Sequence, residues 1–171
     1  MDERNDLITF KGEPLTLQGS QLTAGDELPE SELLGNDLSP VNLSSFRGKY
    51  CVISCVPSLD TPVCDAQTRK FNEEAAGMGR DTVVLTISMD LPFAQARWCG
   101  AAGLESAVTL SDHREADFSL KSGLLIKELR LTARAVFVVD TEGVIRYKQL
   151  VGELSSEPDY GAALEALKAL R

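Results

Sequence analysis

Histidine is nearly absent from this chain: of its 171 residues, only His113 is one. Aromatic residues are also scarce, at 6%, and Trp98 is the single tryptophan. One histidine disfavours a metal site built from several imidazoles. We interpret His113 as a loop residue rather than a general base, and Trp98 as a packing residue rather than a ligand-binding one.

Long apolar runs are missing as well. No stretch approaches the roughly 20 residues of a membrane span, and the polar residues 1–6 lack the apolar core of a secretory signal. The formal net charge is −9, from 17 Lys and Arg against 26 Asp and Glu, which disfavours binding to nucleic acid or anionic membranes. We therefore expect a cytoplasmic protein that binds neither nucleic acid nor a membrane. In the cytoplasm its cysteines are normally reduced.

The chain also lacks internal repeats and low-complexity segments, and its length suits one compact domain spanning residues 1–171. Apolar runs rich in β-branched residues predict strands, and the stretches between them predict helices. The predicted strands are 50–56, 82–88, 107–110, 135–140 and 144–151, with an N-terminal hairpin over 7–17. The predicted helices are 62–78, 92–102, 114–120 and 159–170. This order predicts an α/β, thioredoxin-like fold with a mixed central sheet, flanking helices and an N-terminal β-hairpin.

A Cys-x-x-Cys pair at a helix start is absent, since position 61 is Thr and position 64 is Cys. That absence disfavours a disulfide oxidoreductase of the thioredoxin type. Cys51 and Cys55 alternate along an apolar strand, and we interpret them as core thiols. Their alternatives are a disulfide with Cys64, a metal site, or a side role of Cys55 in redox trapping.

Cys64 follows a helix-start signal. Proline fits the first helical position, and a preceding threonine can cap free amides, so Thr61 and Pro62 would place Cys64 in the first turn. Free amide groups and the positive end of the helix dipole favour a thiolate there. We therefore predict that Cys64 is a reactive cysteine.

Ionisation alone does not make a cysteine an efficient catalyst. A thiol of pKa ~8.5 is a few per cent ionised near pH 7, so full ionisation gains roughly 30-fold, or about 2 kcal/mol. The transition state also needs hydrogen-bond donors and a positive charge. Thr61 is the candidate hydroxyl. Arg134 is the candidate charge, because it lies just before a buried strand that could hold it rigidly.

Several runs of this sequence resemble one protein family. Pro57-x-x-x-Thr61-x-x-Cys64 resembles the Pro-x-x-x-Thr-x-x-Cys signature of peroxiredoxins. Longer runs resemble the bacterial thiol peroxidases, an atypical two-cysteine branch of that family; they are 57–72, 88–99, 133–136 and 157–160. The likeness covers nearly the whole chain in the right order.

The resemblance implies an antioxidant peroxidase that reduces hydrogen peroxide and organic hydroperoxides. Cys64 would be oxidised to a sulfenic acid, and Cys99 would condense with it to an intramolecular disulfide. Pro57 would shield the site, Thr61 would hydrogen-bond the thiolate and the peroxide, and Arg134 would stabilise the charge. Such enzymes are typically homodimers regenerated by thioredoxin, without a metal or an organic cofactor.

A second thiol is also expected on chemical grounds. It must react with the sulfenate before more peroxide oxidises that sulfur further. Cys64 and Cys99 fall in different predicted helices, whereas a disulfide needs Cα atoms within about 7 Å. We therefore expect local unwinding around both residues during the cycle. A structural metal module and a sensor that passes oxidation to a partner are the remaining alternatives.

Overall fold

The computed structural model describes residues 1–104 and 107–171. In chain order its strands are β1 (Glu3–Phe10), β2 (Glu13–Gln18), β3 (Glu32–Leu34), β4 (Pro40–Asn42), β5 (Tyr50–Cys55), β6 (Thr82–Ser88), β7 (Val108–Ser111), β8 (Leu125–Ile126), β9 (Leu131–Thr132), β10 (Ala135–Val139) and β11 (Ile145–Leu150). The helices are α1 (Pro62–Ala76), α2 (Pro92–Ala102), α3 (Asp117–Lys121) and α4 (Tyr160–Ala169), and a 3₁₀ turn covers Leu43–Phe46. Within the described residues, no helix has the length and apolar character needed to cross a bilayer.

The central sheet is mixed. Its order in the described chain is β11-β10-β5-β6-β7-β3-β4. Strands β5, β6 and β7 run parallel, and β10 is antiparallel to both β5 and β11. A second, smaller sheet has the order β1-β2-β8-β9 and contains the predicted N-terminal hairpin. These features match the predicted α/β architecture.

One face of the central sheet carries α1, α2 and α4. Apolar side chains of β5, β6 and β10 on this face pack against Phe71 of α1 and Leu167 of α4. A row of polar side chains, Ser54, Thr86 and Thr109, runs across the three parallel strands in register. Ser54 contacts α1 and Thr109 contacts α2, so both helices cover this face, as right-handed crossovers between parallel strands require.

The opposite face is covered by the hairpin and by the region around α3. Side chains alternate between the two faces along a strand. The residues next to those that face α1, α2 and α4 therefore point to this side. Cys51, Cys55 and Phe137 lie here, in one cluster with Leu17 of β2 and Phe118 of α3. The hydrophobic core therefore joins the smaller sheet to the larger one.

The structure departs from the sequence prediction mainly in short elements. Strands β3, β4, β8 and β9 have three or two residues each, too few for a periodic pattern to reveal. Helix α3 begins at Asp117 rather than at residue 114. Its start is set by the buried Asp112 carboxylate, which accepts hydrogen bonds from the amides of Phe118 and Ser119.

Candidate active site

Helix α1 begins at Pro62, directly after Thr61, as predicted. The Thr61 carbonyl accepts the Asp65 amide at 2.9 Å, which is the first hydrogen bond of the helix. The Thr61 hydroxyl donates to the Ser58 carbonyl at 3.1 Å. A hydroxyl has one hydrogen, so Thr61 must rotate before it can donate to a thiolate or a peroxide.

Cys64 lies in the first turn of α1 and is fully buried. Its side chain belongs to a small apolar cluster with Val56 and Leu59, against which Trp98 of α2 packs. Arg134 Nη2 donates to Cys64 Sγ at 3.3 Å. The structure thus brings together the two residues that the sequence predicted as nucleophile and positive charge.

Arg134 lies between β9 and β10 and is only 2% exposed. Its Nε and Nη2 atoms donate to the Leu154 carbonyl at 3.0 and 2.7 Å. Its Nη1 atom donates to Gln67 Oε1 at 3.0 Å. Within the described residues, every oxygen that the guanidinium contacts is therefore neutral. A buried cation is costly unless it is paired, so an ionised Cys64 sulfur would supply the missing negative charge.

Gln67 is a site residue that the sequence analysis missed. It lies three positions after Cys64 on α1 and is fully buried. Its Nε2 atom donates to Ser54 Oγ at 2.8 Å while Oε1 accepts from Arg134, which fixes the orientation of the amide. Helical spacing was the available signal, since residues three apart share a face.

Asp90 is a second residue that was missed. Its carboxylate accepts the Ser58 hydroxyl and the Leu59 amide, both at 2.8 Å, and the Ser88 hydroxyl at 2.7 Å. Asp90 thereby ties the loop before α1 to the end of β6. Since Thr61 hydrogen-bonds Ser58, Asp90 also holds Thr61 in place indirectly.

An apolar pocket opens beside Arg134, with a volume of about 330 Å³. Pro57 and Thr61 line it together with Arg134, so three of the predicted site residues meet there. The rest of its lining is mostly apolar; it consists of Phe10, Ser58, Pro62, Val63, Leu129, Leu131, Leu154 and Ser155. Arg134 both lines this pocket and contacts Cys64 Sγ, so the pocket ends one side chain away from the sulfur.

Cys99 lies apart from this arrangement, near the end of α2, and is 4% exposed. Its Sγ atom is 3.7 Å from Thr109 Oγ1, and the Thr109 hydroxyl donates to Asn36 Oδ1 at 2.8 Å. Because that hydroxyl hydrogen is used, the thiol is the donor in the contact with Thr109. Burial raises the pKa of the Cys99 thiol. Cys64 and Cys99 are both free thiols here, and each has its own polar partner.

Comparison with known proteins agrees with this geometry. The redoxin family matches residues 23–164. Over 162 residues the chain is 56% identical to the thiol peroxidase of Halalkalibacterium halodurans, covering 95% of this chain and 97% of that one. The thiol peroxidase of Bacillus subtilis is 53% identical over 163 residues, covering 95% and 97%. The chain belongs to the thiol peroxidases of the redoxin family. It is therefore a peroxiredoxin-type peroxidase, as the sequence predicted.

Solved structures confirm the thioredoxin-like fold of this thiol peroxidase. A peroxiredoxin-like protein from Aquifex aeolicus superposes with a TM-score of 0.90 at 41% identity, covering 97% of this chain and 98% of that one. A thiol peroxidase from Chromobacterium violaceum superposes with a TM-score of 0.84 at 23% identity, covering 95% of each chain. The second likeness bears on the fold alone.

Cys51 and Cys55 lie on β5, outside the arrangement around Cys64. Both are free and buried in the core on the sheet face away from α1. Burial raises the pKa of Cys51 to about 11 and that of Cys55 further. The described residues contain no group of three or more metal-ligating side chains around either thiol or elsewhere. The burial of both thiols in the apolar core favours the interpretation of this pair as core thiols.

Proposed function

We propose that this thiol peroxidase reduces hydrogen peroxide and organic hydroperoxides through a sulfenic acid on Cys64 and an intramolecular Cys64–Cys99 disulfide, and that thioredoxin recycles it. The observation that carries the proposal is the 3.3 Å contact between Arg134 Nη2 and Cys64 Sγ in a buried site. The guanidinium is held by Gln67 and the Leu154 carbonyl, so its charge is fixed before the substrate arrives.

In the first step the Cys64 thiolate attacks the nearer oxygen of the peroxide. A sulfur–oxygen bond forms and the oxygen–oxygen bond breaks. The leaving group is an alkoxide from an organic hydroperoxide or hydroxide from hydrogen peroxide, and it takes a proton from solvent to become an alcohol or water. Negative charge moves from the sulfur to the departing oxygen. Arg134 contacts the sulfur and lines the adjacent pocket, so its guanidinium can stabilise both positions of that charge. Thr61 would contribute its hydroxyl after rotating away from Ser58.

In the second step the Cys99 thiolate attacks the sulfenic sulfur. The sulfur–sulfur bond forms, the sulfur–oxygen bond breaks, and hydroxide leaves as water after taking up a proton. The disulfide brings the two sulfurs to about 2.05 Å. Because the two thiols are free here and contact different partners, at least one of them must move to form this bond, which supports the expected local unwinding.

Reduction of the disulfide by a dithiol such as thioredoxin completes the cycle through thiol–disulfide exchange. The sequence expectation of a cytoplasmic homodimer fits such a reductant, because the cytoplasm keeps thiols reduced. Sedimentation equilibrium of the purified chain should give twice the mass of 18.5 kDa if the dimer forms. A monomer at micromolar concentration would contradict that expectation.

The apolar pocket supports organic hydroperoxides as substrates. A hydroperoxide approaching Arg134 through it would place its carbon chain against Phe10, Leu129 and Leu131. Burying an apolar group of this kind contributes about 25 cal/mol per Å². Hydrogen peroxide has no apolar group, so we expect a higher kcat/KM for organic hydroperoxides than for hydrogen peroxide.

The test of the proposed cycle is thioredoxin-coupled peroxide consumption by the wild type, Cys64→Ser and Cys99→Ser. We expect no turnover without Cys64. Without Cys99 we expect one oxidation per chain, detected as a sulfenic acid by mass spectrometry, and poor recycling by thioredoxin. Cys51→Ala is the matched control, and its turnover should equal that of the wild type. Full activity in Cys64→Ser would refute the assignment.

The test of the pocket is a change of selectivity. Leu129→Ser should lower kcat/KM for cumene hydroperoxide about fivefold and leave that for hydrogen peroxide unchanged, because only the organic substrate contacts this side chain. Leu129 is 39% exposed; Leu7, 43% exposed and outside the pocket, offers the control variant Leu7→Ser. Equal losses for both peroxides would argue against an organic-substrate pocket.

A further inference from the structure

A cluster of three side chains joins α1 to α2 on the surface, beside the two cysteines of the proposed cycle. Asp65 Oδ1 accepts Trp98 Nε1–H at 2.9 Å. Arg69 Nε donates to both carboxylate oxygens of Asp65 at 3.0 and 3.2 Å. The guanidinium carbon of Arg69 is 5.5 Å from the Trp98 ring centroid, and its Nη1 atom donates to the Ala102 carbonyl at 3.4 Å. We call Asp65, Arg69 and Trp98 the α1–α2 latch.

The latch residues adjoin the redox residues in the chain. Asp65 follows Cys64, and Trp98 precedes Cys99. The Trp98 side chain also packs against the cluster that encloses Cys64. Unwinding that carries Cys64 out of α1 therefore displaces Asp65, and unwinding that carries Cys99 out of α2 displaces Trp98. Either motion breaks the Asp65–Trp98 hydrogen bond.

The latch is stronger than an ordinary surface ion pair. The Asp65 and Arg69 side chains are 37% and 44% exposed, and such a pair alone stabilises little. Here the same carboxylate also accepts an indole N–H, and hydrogen bonds to charged groups are stronger than neutral ones. The latch thus favours the arrangement in which both thiols are apart and reduced.

We propose that the α1–α2 latch controls the second step: it holds α1 and α2 closed, and the small fraction of molecules in which it is open sets the rate at which Cys99 attacks the Cys64 sulfenic acid. Asp65 and Trp98 are positioning residues in this scheme, since neither contacts the peroxide. The inference rests on the proposed Cys64–Cys99 disulfide. It adds that the closed state lengthens the lifetime of the sulfenic acid and so exposes it to over-oxidation by a second peroxide.

The test separates the two chemical steps in time. Reduced protein is mixed with one equivalent of cumene hydroperoxide, quenched with acid and analysed by mass spectrometry for sulfenic acid and disulfide. Asp65→Ala and Trp98→Phe should each speed disulfide formation about fivefold, which corresponds to about 1 kcal/mol at 1.4 kcal/mol per tenfold. Trp98→Phe keeps the aromatic packing on Cys64 and removes only the indole N–H.

A double mutant and an equilibrium measurement distinguish the latch from a general loosening. Asp65→Ala combined with Trp98→Phe should be no faster than either variant alone, since both remove one shared hydrogen bond. Both variants should also shift the thiol–disulfide equilibrium about fivefold toward the disulfide, or about 20 mV for this two-electron couple. At excess peroxide both should accumulate less sulfinic acid than the wild type.

Asp117→Ala is the matched control, because Asp117 and Lys121 form an ion pair with the same i,i+4 spacing on α3. It should leave the disulfide rate unchanged. Unchanged or slower disulfide formation in both latch variants, or additive effects in the double mutant, would overturn the inference. If Asp65→Ala does not fold, Trp98→Phe decides the question alone. Failure of the wild type to form the Cys64–Cys99 disulfide would instead refute the proposed cycle.

Discussion

The two faces of the central sheet hold two cysteines each, and all four are buried. On the face covered by α1 and α2, Cys64 contacts Arg134 and Cys99 contacts Thr109. On the opposite face, Cys51 and Cys55 lie in the apolar core cluster. Cys51 Sγ donates to a backbone carbonyl, that of Lys49, at 3.8 Å. The difference between the faces therefore lies in the polar side chains at the sulfur atoms rather than in burial.

On the face that holds Cys51 and Cys55, burial is the largest influence on the pKa of both thiols. It raises the pKa of Cys51 to about 11, and it raises that of Cys55 further, with Asp112 adding to the effect and Lys148 opposing it. Both side chains stay neutral thiols at physiological pH, and a neutral thiol is a poor nucleophile. Beside Cys64, in contrast, the buried guanidinium of Arg134 donates a hydrogen bond to the sulfur at 3.3 Å.

The largest effect is expected from removing that cation. Arg134→Met should lower the second-order rate constant of peroxide reduction about 10²- to 10³-fold, the size typical of losing one preorganised donor to a developing negative charge. Stopped-flow oxidation under single-turnover conditions would measure it. Arg134→Lys keeps a positive charge but lacks the planar set of donors, so its rate constant should lie between those of the wild type and Arg134→Met. A loss of less than threefold in Arg134→Met, with the fold intact by circular dichroism, would contradict the role of Arg134.

The pH dependence of the second step should be the next largest effect. Burial raises the pKa of Cys99, so the neutral thiol dominates near neutral pH and the attacking thiolate is scarce. The rate of disulfide formation should therefore increase about tenfold per pH unit, and should still be increasing at pH 8.5, where an ordinary thiol is half ionised. Quenched-flow measurements at several pH values would check this. A plateau below pH 8 would contradict the burial of Cys99 before the unwinding step.

Removing Gln67 should have a smaller effect. Gln67→Leu deletes the amide oxygen that orients Arg134, and we expect about a tenfold slower oxidation of Cys64. Gln67→Glu should be slower still, because a carboxylate beside Arg134 would neutralise the charge that the sulfur needs. Single-turnover oxidation rates of the two variants test this order. The reverse order would show that accepting the Arg134 hydrogen bond matters more than avoiding a negative charge at this position.

The smallest effect is expected on the other face. Cys55→Ala should leave peroxidase turnover within twofold of the wild type and lower the free energy of unfolding by about 1 kcal/mol, since it leaves a small cavity in the core. Urea denaturation and the thioredoxin-coupled assay would measure the two quantities. A large loss of turnover would revive the redox-trapping alternative for Cys55 and remove the contrast between the faces.

Local sequence signals predicted the fold well. The strand at 82–88 and the helix at 92–102 have the predicted bounds, because their apolar runs and the proline at residue 92 are local features. The helix start at Pro62 also placed Cys64 in the first turn, where the structure has it. The catalytic roles of all five predicted site residues, and the single domain, stay predictions that the shared pocket and the continuous core support; the residues are Pro57, Thr61, Cys64, Cys99 and Arg134.

The residues that were missed act across long distances in the chain. Asp90 holds a loop about thirty residues earlier, and Gln67 meets Arg134 67 positions later. Such contacts depend on the order of the strands in the sheet and on which helices cover the same face of it. No single segment of the sequence predicts either of these. Thr61 illustrates the same limit, since its position was predicted while its hydroxyl donates to Ser58.

The position of Trp98 has a practical consequence. It is the only tryptophan of the chain, and its indole N–H hydrogen-bonds Asp65 beside the cluster that contains Cys64. Tryptophan fluorescence of the unmodified protein therefore reports on one place, the contact between α1 and α2. A change in emission during turnover gives the time course of that contact without any attached dye, and each reaction can be followed in the wild type.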